Sequence, residues 1–359
     1  MNLKKLLLIP GLLGLRLVAP AADVEILPPP FRGAIQPQAA MTADGQLFVT
    51  FGRGSEIFCA AVDANLQSKE PVKIGELPKL ALGMRRGPRV AVAGKAVVIS
   101  AISHAEGNLH AWNSTDGGAT WSAPARVNSV TNSAREGMHA MTDDGKGLVF
   151  AAWLDLRNKG TELWGASSRD GGRTWGRNVL IYQSPDGTIC QCCHPTLASD
   201  GAGRIWAMWR NAVGGSRDLY AASSRDGGET FSTAMKLGAG TWRLNACPMD
   251  GGSACVQPDG KLLTAWRRDK SLFAAGSKDE QLLSAAGLNP VVGWSGTGPF
   301  YIWQEGSKLK WRRGDNPAGV FSPKGGFVSL AAAPAGKSPV AVWESDVGGM
   351  RTIFARRIE

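Results

Sequence analysis

"ASSRDGG" stands at Ala166–Gly172 and again, letter for letter, at Ala222–Gly228. A looser copy, "WNSTDGGATW", runs from Trp112 to Trp121. The turns start at Ser114, Ser168 and Ser224, about 55 residues apart, and a fixed period of that size marks a repeat architecture. Each turn follows a short strand-like segment: "NLHAWNS", "ELWGASS" or "DLYAASS". A second apolar segment lies upstream of each: "AVVISAIS", "GLVFAAWL" or "RIWAMWR".

The strand pair recurs where the turn has decayed. "QLFVTFGRGSEIFCAAV" precedes the three clear copies; "LLTAWRRDKSLFAAGS", "FYIWQEGSKLKWRRG" and "VAVWESDVGGMRTIFARRI" follow them. Seven pairs result, most of them introduced by a hairpin turn such as "TADGQ" or "PDGK". Units of three to four strands repeating every ~40–55 residues predict an all-β, single-domain, seven-bladed β-propeller over residues 22–359. The last pair ends at the C-terminus without a fourth strand, and "DVEILPPP" after the leader is the segment available to close the ring. Closure removes sheet edges. The alternative is a sandwich of two packed sheets.

Composition fits a β-rich globular chain of 359 residues, with 46 Gly, 20 Pro and 13 Trp. Residues 1–21 read as a secretory signal peptide: Lys4 and Lys5, an apolar run, then Ala19-Pro20-Ala21. An uncleaved anchor is the alternative, because Arg16 interrupts the run. The mature protein is expected to be secreted or periplasmic, without stable membrane insertion. The net charge of +10 includes Lys4, Lys5 and Arg16 of the leader. The remaining basic excess points to an acidic partner, and the absence of basic runs interleaved with aromatics argues against nucleic acid.

The repeated turn resembles the Asp-box, or BNR repeat, of the sialidase superfamily: Ser114, Asp116, Gly118 and Trp121; Ser168, Asp170, Gly172 and Trp175; Ser224, Asp226, Gly228 and Phe231. The strand pairs extend the resemblance over nearly the whole mature chain. The turn's chemistry is structural: Asp bonds amides within its own turn, Gly supplies positive φ, and the terminal aromatic buries its ring. The resemblance implies a six-bladed ring where seven pairs are counted here. It further implies boxes between the third and fourth strands of a blade, and a binding site on the opposite face. There the family uses three Arg on a carboxylate, a Tyr nucleophile activated by Glu, and an Asp acid/base. This chain has three tyrosines, Tyr182, Tyr220 and Tyr301, and the strand reading puts none at the channel mouth. The early Arg motif of the family is matched only loosely, by "FRGAIQP" at Phe31–Pro37.

Loop alternation assigns other residues to that opposite face. Arg86, Arg135, Arg157, Arg210 and Arg243, with His194 and Trp242, are the candidate ligand-binding set for an anionic glycan, since guanidinium grips carboxylate or sulfate bidentately. The alternative is that these arginines form solvated rims or pair with neighbouring acids. For hydrolysis the candidate acid/base residues are Asp155, Asp250 and Glu136. Asp155 and Arg157 in "WLDLR" have a second use, pairing with each other.

Two segments are unlike anything else in the chain: "CQCCHP" (Cys190–Pro195) and "NACPMD" (Asn245–Asp250). Both precede the inner strand of successive blades and should face each other. In an oxidising compartment a disulfide from Cys247 to Cys190, Cys192 or Cys193 is expected. The other reading is a copper or zinc site from Cys190, Cys192, Cys193, His194, Cys247 and Met249, although C-x-C-C-H is not a usual zinc spacing. A mixed case has one disulfide beside His194 and a free thiol. Cys59 and Cys255 read as buried free thiols.

Three function classes follow: a secreted sialidase-like propeller that binds, or binds and hydrolyses, an anionic glycan with no required cofactor; a non-catalytic recognition propeller; and a soft-metal-binding exported protein.

Overall fold

A computed structural model describes residues 22–276, 279–334 and 336–359, so the leader expected over residues 1–21 lies outside the described residues. The described residues form seven four-stranded antiparallel sheets. The first blade is β2 (Ile35–Met41), β3 (Leu47–Arg53), β4 (Glu56–Val62) and β5 (Val72–Glu76), from the axis outward. The seventh is β26 (Gly326–Ala331), β27 (Val340–Val347) and β28 (Met350–Arg357), completed by the N-terminal strand β1 (Val24–Glu25). Val24 pairs with Ala355 and Glu25 with Phe354, so the segment expected to close the ring does so. The inner strands contact one another in sequence, and β2 contacts β26. The count of seven blades holds, against the six of the resemblance.

Each blade is sandwiched between two others, so its second strand is apolar on both faces. β7 (Ala96–Ser103) and β11 (Val149–Asp155) are buried at every position. The second strands of four blades place Trp153, Trp209, Trp303 and Trp343 at nearly equal depth, each almost fully buried. Truncating such a ring costs about 3–5 kcal/mol, so these tryptophans set the spacing between blades.

The boxes follow the third strand of blades two to four. In the first, Ser114 Oγ donates to Asp116 Oδ1 at 2.7 Å and accepts from the Gly118 amide at 2.9 Å. Asp116 accepts from the amide and hydroxyl of Thr120. The boxes at Ser168 and Ser224 repeat these contacts within 0.1 Å. Gly118, Gly172 and Gly228 have φ of 86°, 84° and 94°, in the region favouring glycine. The aromatic at the box end reaches the preceding blade; Phe231, for example, lies 5.6 Å from Phe150.

Candidate functional site

The inner strands surround a central cavity of about 760 Å³. Its lining runs from Arg85, Arg89 and His194 at one end to hairpin residues such as Asp143, Asp200 and Gln257 at the other. The hairpins share a face with the boxes, so the arginine end belongs to the opposite face.

Arg85 closes that end. It is 8% exposed, and its Nη1 donates to the carbonyl of Val328 at 2.8 Å. Its Nη2 donates to the carbonyl of Asn289 at 3.0 Å. Arg89 Nε donates to the carbonyl of His139 at 3.1 Å, and its Nη2 donates to the carbonyl of Arg85. Burial pushes the guanidinium of Arg89 down to about 9. Around this plug, Gln36, Met84, Arg85, Met249, Asn289 and Phe327 all have positive φ, between 50° and 67°. Non-glycine residues take this conformation at a cost of order 1–3 kcal/mol each, and such residues gather at functional sites. Nothing in the sequence signals them except Asn289, whose residue type tolerates the conformation.

Asp250 and Glu344 flank the plug and are both buried. Asp250 accepts from the amides of Gly252 and Asn289, each at 3.1 Å. Glu344 accepts from the Gln36 amide at 2.6 Å and from Arg351 Nη1 at 3.2 Å, while burial raises its proton affinity. It lines a second cavity of about 380 Å³ with Arg351, Asp346 and Lys324. His194 Nε2 donates to the carbonyl of Gly252 at 3.0 Å, and burial pushes the imidazole down to about 3. The ring is therefore neutral at physiological pH.

Most of the predicted residues reach this face, with different freedom. Arg210 is 1% exposed and donates to the carbonyls of Asp250, Arg217 and Arg267. Trp242 lies buried beneath the guanidiniums of Arg210 and Arg267, 5.2 and 5.3 Å from its ring. Arg157 is held in a bidentate pair with Asp155 and stacks 3.7 Å from the Trp164 ring. Asp155 is 0% exposed and also accepts from Trp153 Nε1 at 2.6 Å and Ser133 Oγ at 2.7 Å. Hydrogen bonding overcomes burial there and keeps the carboxyl below its ordinary range. Its place is therefore a structural knot between strands, apart from the axis.

Arg86, Arg135 and Arg243 remain solvent-accessible, as do Arg217 and Arg267 in part. Among the described residues none of these five has a carboxylate within ion-pair distance. Glu136 is half-buried beside Arg86, whose Nε donates to the Glu136 carbonyl at 2.9 Å, and burial raises its proton affinity. None of the tyrosines lines the central cavity. Tyr182 lies on the outer strand β13 (Val179–Tyr182), where its hydroxyl accepts from Asn211 Nδ2.

The cysteines converge but do not bond. Cys190 Sγ lies 3.2 Å from Cys193 Sγ and 3.7 Å from Cys192 Sγ, and all six cysteines are free. A disulfide needs sulfurs about 2.05 Å apart, so the expected bridge from Cys247 is not formed. Cys247 is exposed, and its thiol approaches that of Cys192. The close sulfur contacts of Cys190 with Cys192 and Cys193 lower its proton affinity. His194 is turned to Gly252 and takes no part in this cluster. Cys59 is buried and Cys255 half-buried, each free as read from the sequence.

The fold and its three boxes define a sialidase-like BNR propeller. The chain belongs to the BNR repeat-like domain family, whose profile matches residues 91–281, more than half of its length. Similar solved structures include an ulvan lyase bound to -[GlcA(1-4)Rha3S]-, at 10% identity and TM-score 0.57, covering 92% of this chain and 95% of that one. A virginiamycin B lyase from Staphylococcus aureus matches at 12% identity and TM-score 0.56, covering 94% and 100%. The NanB sialidase from Streptococcus pneumoniae matches at 10% and 0.53, covering 96% and 70%. No curated protein matches by sequence.

Proposed function

We propose that this propeller is an exported glycan-binding protein that takes an anionic saccharide on the face opposite the Asp-boxes. The observation that carries the reading is the set Arg86, Arg135, Arg217, Arg243 and Arg267. Four come from loops of that face and Arg267 from the end of the strand Leu262–Arg268, and none has a carboxylate within ion-pair distance among the described residues. Guanidinium forks without an internal counter-charge suit carboxylates or sulfates of a ligand. The glucuronate- and sulfate-bearing repeat in the similar ulvan lyase, and the sialidases of similar fold, make a saccharide the matching ligand class.

Of the three acid/base residues read from the sequence, one remains workable for hydrolysis. Asp155 is saturated by donors and Asp250 is buried under two amides. Glu136 combines access with a raised proton affinity, which is what a general acid needs.

Calorimetry with an oligouronate and with sialyllactose tests the reading, with neutral dextran as control. Binding of an acidic saccharide that weakens with added salt, and weakens about tenfold in Arg135→Ser or Arg243→Ser, is expected. Equal binding of dextran, or no loss in either variant, overturns it. Turnover of a fluorogenic glycoside that survives Glu136→Gln removes the assignment of the acid.

A further inference from the structure

The thiol cluster is used neither by the fold nor by the proposed saccharide site. We propose that Cys190, Cys192 and Cys193 bind one monovalent copper ion as a trithiolate, with Cys247 of the next blade connection standing at the solvent side of the site. The three sulfurs lie within 4.8 Å of one another, and two of the separations are 3.2 and 3.7 Å. Sulfurs bound to one ion at about 2.3 Å stand roughly 4 Å apart, so the cluster needs only a small spreading to accept an ion.

The donor set chooses the ion. Every donor is sulfur, and soft thiolates select monovalent copper or zinc among the common metals. Structural zinc takes four ligands, usually paired at C-x₂₋₄-C spacing and often joined by histidine. Here three thiols follow C-x-C-C, and the adjacent imidazole of His194 is committed to the Gly252 carbonyl. Three close thiolates and no imidazole favour the softer, lower-coordinate ion. Cys190 and Cys193 are buried, while Cys192 and Cys247 lie toward solvent, giving the ion a way in.

The loop is anchored for the task. The Cys190 amide donates to the Arg210 carbonyl at 3.0 Å, and the Ile189 amide donates to Thr161 at 3.0 Å. Binding converts each ligating S–H to S⁻ and releases its proton to solvent, with no change of oxidation state.

The test uses the mature chain, reduced without oxygen and titrated with monovalent copper against bicinchoninate. One copper per chain is expected, with affinity lowered by more than about a hundredfold in Cys193→Ser and about tenfold in Cys247→Ser. Cys59→Ser and Cys255→Ser should bind as the parent does, and circular dichroism confirms that each variant is folded. Folded, fully reduced parent protein that takes up no copper overturns the site. Zinc bound with one-to-one stoichiometry and not displaced by monovalent copper overturns the choice of ion. Failure of saccharide binding leaves this result untouched, because no arginine of the proposed saccharide site is a copper ligand.

Discussion

Arg85 Nη1 donates to the Val328 carbonyl at 2.8 Å, tying the connection between the first two blades to the inner strand of the seventh. With its bond to the Asn289 carbonyl, this side chain spans three blades at the end of the axis. Its desolvation is opposed by Asp250 and Glu344, which favour the charged form. Arg85→Met should leave two buried carbonyls without donors and lower stability by about 3 kcal/mol, read as a shift in the urea midpoint. A change below about 0.5 kcal/mol would show that water replaces the guanidinium without loss.

Gly228→Ala probes the box as scaffold. Gly228 has φ +94°, and a Cβ there would sit 2.3 Å from Phe150 Cε2. Phe150 is fully buried, so it has nowhere to retreat. Stability should fall by about 2–4 kcal/mol, while saccharide affinity on the far face stays at the parent value. Loss of binding in protein shown to be folded would place the boxes in the site after all.

Acid should weaken the fold in two stages. His139 and His194 are held neutral, so their folded pKa values lie below the ordinary 6.5. Stability they contribute is complete above about pH 6.5 and is lost as pH falls, at up to about 1.4 kcal/mol per pH unit for each. Burial raises Asp143 to about 6, so between pH 6 and 4 it works in the opposite direction and offsets part of that loss. Below about pH 4 the box aspartates add a second loss, since Asp226 is depressed to about 2. Denaturation midpoints against pH should steepen below 6.5, and His139→Gln should remove one histidine's share. A flat profile from pH 7 to 5 contradicts the assignment.

What was legible in the sequence is what repeats. The boxes at Ser114, Ser168 and Ser224 fixed the phase of the blades, because Asp, Gly and a terminal aromatic meet local requirements that no distant residue has to supply. The closing role of "DVEILPPP" was legible because one blade lacked an outer strand. The arginines were not separable. Arg85, Arg89 and Arg210 are buried against backbone carbonyls of other blades, whereas Arg86, Arg135 and Arg243 keep access to solvent. Only the packed ring decides which. The cysteines were legible as a cluster, with a bridge and a metal site both open to it; the turn at Cys190–Cys193 holds three free sulfurs around a common point, which spacing along the chain does not reveal. Likewise His194 is next to Cys193 in sequence, yet its ring faces the following blade.

Asp155→Asn separates the catalytic from the structural use of that carboxylate. One oxygen accepts from Trp153 Nε1, Ser133 Oγ and Arg157 Nη2; the other accepts from the Arg157 amide and Nε. An amide presents an NH₂ to one of these two donor sets whichever way it is turned, so donor meets donor. It also leaves Arg157 without its counter-charge, supported by the Trp164 ring and the Asn178 side-chain oxygen. Breaking a buried pair in this way should cost about 3–5 kcal/mol. Saccharide affinity of the remaining folded protein should match the parent, since the knot lies away from the arginines of the open face. Native stability together with lost turnover or binding would return Asp155 to the site.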